Sequence, residues 1–281
     1  MRWRRVSLIA CVVVVLAGCG SRSSSPQVPT IQAARTFALA NFQPAGPVQP
    51  GKPVTLSFTI EQPNGKPLTA YKRGSGPHTG VHVILVRDDL NSIIHVHPPI
   101  GADGKVSEQI RVPEPGPYRV VVDAYPKSTG QPNFQLFSKI DVAGAYKPKP
   151  LPSSERAVVV DGYRFELEGK PRLKALEAGF INVTVTDPQG RPARFTPWFG
   201  ALAHAIFFRS GSLDYFHTHV CAPGASGCTS FLGATQVKGS STTPGKLRVG
   251  VLVPVAGKWR LFLQTRANGR VLTAPFTLEV K

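Results

Sequence analysis

The residues Val54-Thr-Leu-Ser-Phe-Thr-Ile60 and Pro63-Asn-Gly-Lys-Pro67 have the pattern of a β-strand and the turn that ends it. Alternating apolar and polar side chains are typical of a strand with one buried face, and Pro and Gly mark the turn. The same pattern recurs as Ile181-Asn-Val-Thr-Val-Thr186 and Pro188-Gln-Gly-Arg-Pro192. Because strand and turn recur together, we expect two related β domains.

A second pair of matching stretches supports the duplication: Gly116-Pro-Tyr-Arg-Val-Val-Val122 and Gly257-Lys-Trp-Arg-Leu-Phe-Leu263. The chain of 281 residues holds 27 Gly and 27 Pro without a period, which argues against long helices and against collagen. Short strands separated by turns are typical of sandwiches. We therefore predict an all-β protein of two immunoglobulin-like (cupredoxin-like) antiparallel β-sandwich domains in tandem.

Shifts in composition predict the boundaries between the parts of the chain. A polar, Ser-rich stretch follows the N-terminal apolar run, and a Pro-rich stretch divides the two repeats. The predicted parts are a signal peptide (1–18), a lipidated Cys with a tether (19–33), a first sandwich (34–145), a linker (146–154) and a second sandwich (155–281).

The N-terminus has a basic segment and then a short apolar run, as a signal peptide does. Its end, Leu16-Ala17-Gly18-Cys19, resembles the lipobox of bacterial lipoproteins. That resemblance implies cleavage before Cys19, a lipid with acyl chains such as palmitate on its sulfur, and anchoring to the extracytoplasmic side of the cell membrane. Ordinary secretion with an incidental Cys19 is the alternative.

The formal net charge of +17 is compatible with nucleic acid or with an anionic surface as partner. Export from the cytoplasm argues against nucleic acid. The Lys and Arg residues form no dense run, so the charge is interpreted as a solvated surface.

Two cysteines, Cys221 and Cys228, are separated by a short flexible loop. In an exported protein such a pair predicts a disulfide. Cys221 also shares the strand parity of His217 and His219, so a His-His-Cys copper site is a second interpretation.

The histidines carry the strongest signal in the sequence. All seven lie in residues 78–97 and 204–219. Six repeat one spacing, a step of 13 residues followed by a step of two: His82, His95 and His97, then His204, His217 and His219.

Strand geometry places each set of three on one face. A hairpin symmetric about Asp89/Leu90 sets His82 opposite His97, and one symmetric about Gly211/Ser212 sets His204 opposite His219. Three imidazoles placed in this way can converge on one ion. We therefore expect one three-histidine metal site per domain and up to two ions per chain.

His78 is a candidate fourth ligand of the first site, with a loop histidine of no role as the alternative. Imidazole suits copper and zinc, and intrinsic affinity favours copper. Met1 is the single methionine, which excludes a thioether-rich site. The alternative to metal binding is that the histidines only pack.

The residues Asp89-Leu-Asn-Ser-Ile-Ile-His95-Val-His97-Pro98, preceded by His82, resemble a module of bacterial exported proteins. That module is similar to YtkA-like and periplasmic copper-carrier domains. The resemblance covers both repeats and implies a metal-related role, above all with copper. Val220 replaces Pro98 in the second copy, so unequal metal affinities are expected.

Three functions follow from these observations. The first is a lipid-anchored protein that buffers or delivers copper or zinc, with the membrane and a metal donor or acceptor protein as partners. The second is a non-enzymatic adhesive or scaffold lipoprotein with structural histidines. The third is a hydrolytic enzyme whose metal is held by three histidines, although no acidic residue sits at a fixed offset on the histidine face.

Overall fold

The computed structural model describes residues 36–73, 79–127, 132–220 and 243–281. These residues form antiparallel β-sheets and contain no helix, and so none that could cross a membrane. The strands are β1 (Ala38–Gln43), β2 (Pro53–Glu61), β3 (Val81–Arg87), β4 (Ile93–Val96), β5 (Val106–Arg111), β6 (Gly116–Ala124), β7 (Phe134–Val142), β8 (Ala157–Val160), β9 (Tyr163–Leu167), β10 (Gly179–Thr186), β11 (Phe195–Thr196), β12 (Ala203–Arg209), β13 (Tyr215–Val220), β14 (Lys246–Val251), β15 (Gly257–Ala267) and β16 (Arg270–Val280).

The first sandwich contains strands β1 to β7. One sheet has the order β1-β2-β5 and the other the order β4-β3-β6-β7. Side chains that alternate along these strands fill the space between the sheets, among them Phe58, Val83 and Val120. The prediction of an immunoglobulin-like all-β fold is confirmed.

The second sandwich contains strands β8 to β16. One sheet has the order β14-β10-β9-β8, and in the other β13, β12, β15 and β16 follow one another while β11 also pairs with β15. Trp259 is fully buried in the core, with Phe165 and Phe195. The two sandwiches therefore have separate cores, as expected for a duplicated fold.

A third apolar cluster joins the two sandwiches. Ile84 and Val121 of the first sandwich pack with Ile206, Phe208 and Phe262 of the second. Sheets β4-β3-β6-β7 and β13-β12-β15-β16 therefore pack against each other, and their central strands β3 and β12 are buried on both faces. Because side chains alternate along a strand, the residues that do not face the domain core face the other domain.

No strand lies between Val142 and Ala157, where the sequence predicts the linker. The backbone N–H of Lys149 donates to Oδ2 of Asp89 (3.0 Å), and Asn91 Nδ2 donates to the Lys149 carbonyl (3.3 Å). Leu151 packs against the apolar cluster between the sandwiches. The linker is thus held against the β3–β4 turn.

Candidate metal centre

The two histidine hairpins have the predicted register. In the first, Ile84 of β3 pairs with His95 of β4, which brings His82 level with His97. In the second, His204 of β12 pairs with His219 of β13. Both turns contain a leucine with positive φ, 58° at Leu90 and at Leu213. The sequence prediction of which histidines oppose one another is therefore confirmed.

The two sets of histidines meet between the sandwiches. The ring centroids of His82 and His217 are 5.4 Å apart, and those of His95 and His204 are 5.0 Å apart. These separations match those within one domain, such as 5.5 Å between His204 and His217. All six repeated histidines thus form one cluster, which we call the histidine cluster.

The histidine cluster groups its ligand atoms differently from the expectation of one three-histidine site per domain. Ring nitrogens lie within 4.8 Å of one another in three groups among the described residues. The groups are His82, His95 and His217; His95, His97 and His204; and His204, His217 and His219. Only the third is a predicted site, because the other two draw histidines from both sandwiches.

His82 and His97 of the first predicted site stack on each other. Their rings are 3.8 Å apart between centroids and 21° from parallel. An imidazole binds a metal through a lone pair in its ring plane, and two stacked planes do not meet at an ion between them. The set of His82, His95 and His97 is accordingly not among the three groups of described residues, and metal binding by it stays a prediction.

The nitrogens of His204 and His217 face each other with their lone pairs. His204 Nε2 lies 3.0 Å from the carbonyl of Trp198, which can only accept, so this nitrogen carries the proton and Nδ1 is bare. Nδ1 lies 3.3 Å from Nε2 of His217. The other nitrogen of His217, Nδ1, lies 3.6 Å from Oδ2 of Asp123 and has no hydrogen-bond partner among the described residues. Attraction to the carboxylate favours the tautomer with the proton on Nδ1 and a bare Nε2.

His95 has a similar arrangement. Its Nδ1 lies 3.1 Å from Oε1 of Gln264, whose Nε2 donates to Thr273 Oγ1 (3.0 Å). His95 therefore donates from Nδ1 and leaves Nε2 bare. Its Nε2 lies 3.2 Å from Nε2 of His97. Two nitrogens bound to one ion at about 2.0–2.1 Å lie roughly 2.9–3.4 Å apart, so both close pairs have the spacing of ligands to one metal.

Burial keeps much of the cluster neutral. It lowers the pKa of His82 and His95 well below the usual value of 6.5, and repulsion by neighbouring histidines lowers it further. Burial first, and then His217, lowers the pKa of His97 to about 3. A neutral imidazole is the form that binds metals, so these residues need no deprotonation near neutral pH.

Buried polar atoms remain unsatisfied in the cluster. His82 is fully buried, and among the described residues neither of its ring nitrogens has a hydrogen-bond partner. An unsatisfied buried polar group costs about 1–3 kcal/mol, so native proteins seldom retain one without a reason. Binding of an ion or a water molecule is one such reason.

An acidic residue that the sequence pattern did not reveal lies beside the cluster. Asp123 of β6 is 2% exposed and pairs across the sheet with His82. Its carboxylate accepts from Tyr125 Oη (3.0 Å) and from Gln135 Nε2 (3.0 Å). Asp123 and His217 also line a cavity of about 300 Å³ beside the cluster.

An aromatic turn covers another side of the cluster. Trp198 and Ala201 bridge a two-residue turn in which Phe199 has φ 46° and Gly200 has φ 76°. Phe199 stacks on His97 with a centroid separation of 3.6 Å, and Trp198 lies edge-on to His204. Left-handed φ is uncommon for an aromatic residue, and such strain concentrates at functional sites. No sequence pattern indicated this turn.

Residues 38–146 and 157–281 match the family described as "Domain of unknown function (DUF8832)". The chain belongs to this family. Each matched segment contains one sandwich, so the DUF8832 match follows the duplication. No curated protein sequence matches the chain.

Solved structures share only a distant likeness with this DUF8832 protein. Alpha-2-macroglobulin from Salmonella is 13% identical, with a TM-score of 0.26 over 88% of this chain and 15% of that one. Alpha-2-macroglobulin from Escherichia coli is also 13% identical, with a TM-score of 0.27 over 89% of this chain and 22% of that one. A tetra-tandem repeat from the extending region of a large adhesion protein is 12% identical, with a TM-score of 0.24 over 88% of this chain and 48% of that one. The chain thus spans less than half of each, and likeness at this level supports no functional argument.

The remaining predicted site residues are not placed. Cys19, His78, Cys221 and Cys228 lie outside the described residues. Lipidation, the fourth ligand and the disulfide stay predictions.

Of the missed residues, Asp123 had a usable signal. It is an acidic residue in the otherwise apolar second half of the strand Gly116–Ala124, and it shares the parity of Val121, which faces the other sandwich. A buried charge in such a strand needs a partner. Gln264 and Trp198 have no comparable signal, because polar and aromatic residues are common at such positions.

Proposed function

We propose that this protein binds one transition-metal ion in the histidine cluster, copper in preference to zinc, and that it buffers or delivers the ion at the cell surface. Anchoring through a lipid on Cys19 is part of the proposal and rests on the lipobox resemblance. Metal donor or acceptor proteins are the implied partners.

The observation that carries the proposal is the pair of facing nitrogens on His204 and His217. Nδ1 of His204 and Nε2 of His217 are 3.3 Å apart. The other ring nitrogen of each residue faces away from this pair, toward the Trp198 carbonyl oxygen at 3.0 Å and toward Asp123 Oδ2 at 3.6 Å. Two bare lone pairs at this separation repel each other unless a cation lies between them. A metal ion shared by the histidines removes the repulsion.

Overlap between the ligand groups supports a single tight site. The first and second groups share His95, the second and third share His204, and the first and third share His217. An ion in any one group takes a ligand from each of the others. One ion per chain should therefore bind tightly, and a second should bind more weakly through fewer histidines.

A purely structural role for the histidines accounts less well for their surroundings. Packing alone leaves Nδ1 of His204 and Nε2 of His217 facing each other at 3.3 Å inside the interface. Apolar residues would fill the same interface without that cost, as Ile206 and Phe208 do next to the cluster. The scaffold alternative therefore leaves the polar composition of this interface unexplained.

Titration of purified, metal-free protein with Cu²⁺ and Zn²⁺ tests the proposal. Wild type should bind one equivalent tightly. The double variant His95→Gln/His204→Gln removes a ligand from all three groups and should lose tight binding. The matched control His82→Gln/His97→Gln also removes two histidines but leaves His204, His217 and His219 complete, so it should keep one equivalent.

Two results would contradict the proposal. Wild type that binds neither ion at neutral pH would remove the metal function and leave the structural one. Two equal equivalents, one of them lost in the control variant, would restore one independent site per domain. Circular dichroism of each variant shows whether the fold is kept.

A further inference from the structure

Two positions on neighbouring strands are equivalent in the two sandwiches but hold different residues. In the first, His82 of β3 pairs with Asp123 of β6. In the second, His204 of β12 pairs with Gln264 of β15. Each residue therefore lies beside the first of the three repeated histidines of its sandwich. One copy has a carboxylate there and the other a neutral amide.

Each of these residues reaches a histidine of the opposite sandwich. Gln264 Oε1 is 3.1 Å from Nδ1 of His95, and Asp123 Oδ2 is 3.6 Å from Nδ1 of His217. His95 and His217 are themselves equivalent, since each begins a His-X-His motif. The contacts are reciprocal, as in a two-fold symmetric interface. The charge on Asp123 breaks the symmetry.

The Asp123 carboxylate has a single ion-pair neighbour among the described residues, the imidazole of His217. The carboxylate is nearly fully buried, and its other contacts are neutral donors, Tyr125 and Gln135. A buried carboxylate is stabilised by nearby positive charge, which a divalent ion on His217 would supply.

We propose that Asp123 is the positioning residue that directs the ion to His204, His217 and His219 rather than to the groups that contain His95. This inference rests on the proposed metal function. A carboxylate behind a ligating histidine fixes the tautomer of the ring and makes it a stronger ligand. Gln264 orients the ring of His95 in the same way, but its neutral amide does not add negative charge. The ion is bound through Nδ1 of His204 and Nε2 of His217. The first sandwich thus supplies the charge for a site whose ligands belong to the second.

The test is the variant Asp123→Asn, which keeps the size of the side chain and can still accept from Tyr125 or Gln135. Cu²⁺ and Zn²⁺ affinity should fall about 10- to 100-fold, the usual effect of losing an outer partner of a ligand. The Cu(II)/Cu(I) reduction potential should rise, because the lost negative charge stabilises Cu(II) more than Cu(I). Asp141→Asn, the same change at an exposed carboxylate of β7, should alter neither quantity.

Imidazole ¹⁵N spectra of the Zn²⁺-loaded wild type test the position of the ion without any variant. We expect the spectra to show metal bound to Nδ1 of His204 and to Nε2 of His217, and no metal bound to His95. Metal-bound His95, or an Asp123→Asn protein with wild-type affinity and potential, would overturn the inference while leaving the metal function intact. Wild type that binds no ion would overturn both.

Discussion

Nδ1 of His95 lies 3.1 Å from Oε1 of Gln264, although the two residues belong to different sandwiches and are 169 positions apart. The contact shows that the interface itself orients a candidate ligand. Neither hairpin has the complete arrangement alone, because each relies on a polar residue from the other sandwich. The relative position of the two domains is therefore part of the site.

Tryptophan fluorescence should report metal binding directly. Trp198 lies 5.5 Å from His95 and 5.0 Å from His204 between ring centroids, whereas Trp259 is buried in the second core. We expect Cu²⁺ to quench part of the emission in proportion to site occupancy, and Zn²⁺ to quench far less because it is not redox-active or paramagnetic. Trp198→Phe should remove the Cu²⁺ response, and a response that persists in this variant would place the ion elsewhere.

The stability of the metal-free protein should fall as the pH is lowered from 7.5 to 5. The pKa of His82 and of His95 is lowered in the folded state. Below about pH 6.5 the same histidines take up protons in the unfolded chain but not in the folded one, which favours unfolding. The contribution of these neutral histidines to the free energy of unfolding is therefore complete above about pH 6.5. It is lost progressively as the pH falls toward the pKa of the folded state, which is about 3 for His97. Urea unfolding with a chelator should show a loss of roughly 2–4 kcal/mol, since each strongly shifted group loses up to about 2 kcal/mol over this range.

The pH effect can be assigned to the cluster with a variant. His95→Gln/His204→Gln should show a smaller loss over the same range, because fewer shifted histidines remain. Equal pH dependence in the variant and wild type would show that other groups are responsible.

The apolar contact beside the histidines should support both stability and binding. Ile206 is fully buried in the cluster between the sandwiches and pairs across the strands with His217. Ile206→Ala should lower the free energy of unfolding by about 2–4 kcal/mol through the lost contacts and the cavity. It should also weaken metal binding, because the neighbouring histidines are then less firmly held. Val271→Ala, at a position 43% exposed, should change stability by less than about 0.5 kcal/mol.

Membrane attachment is tested on the full-length chain in a bacterial host. If Cys19 carries the lipid, the wild type should fractionate with membranes and Cys19→Ser should be released. A single acyl chain binds only reversibly, so the multiple chains of a lipoprotein anchor should resist high-salt washing. Wild type that fractionates as a soluble protein would contradict the anchor and leave the metal site unaffected.

The sequence by itself determined the strands and the register of the histidine hairpins. Apolar alternation identifies which residues of a strand share a face, and the turn midpoint sets which residues pair. Both are local properties of a few neighbouring residues, so the pairing of His204 with His219 followed from the spacing alone. The all-β class followed in the same way from the repeated strand-and-turn patterns.

Only the tertiary structure decided which histidines share a site. The alternation of side chains along β3 shows that His82 and Ile84 point away from the core of their own sandwich. It does not show what covers them. That depends on packing between sheets whose residues lie far apart in the chain, for which the local pattern carries no information. The same packing brings Asp123 to His217 and Gln264 to His95. Two expected sites thereby become one shared cluster, because burying both histidine faces against each other removes more apolar surface from water than leaving either face exposed.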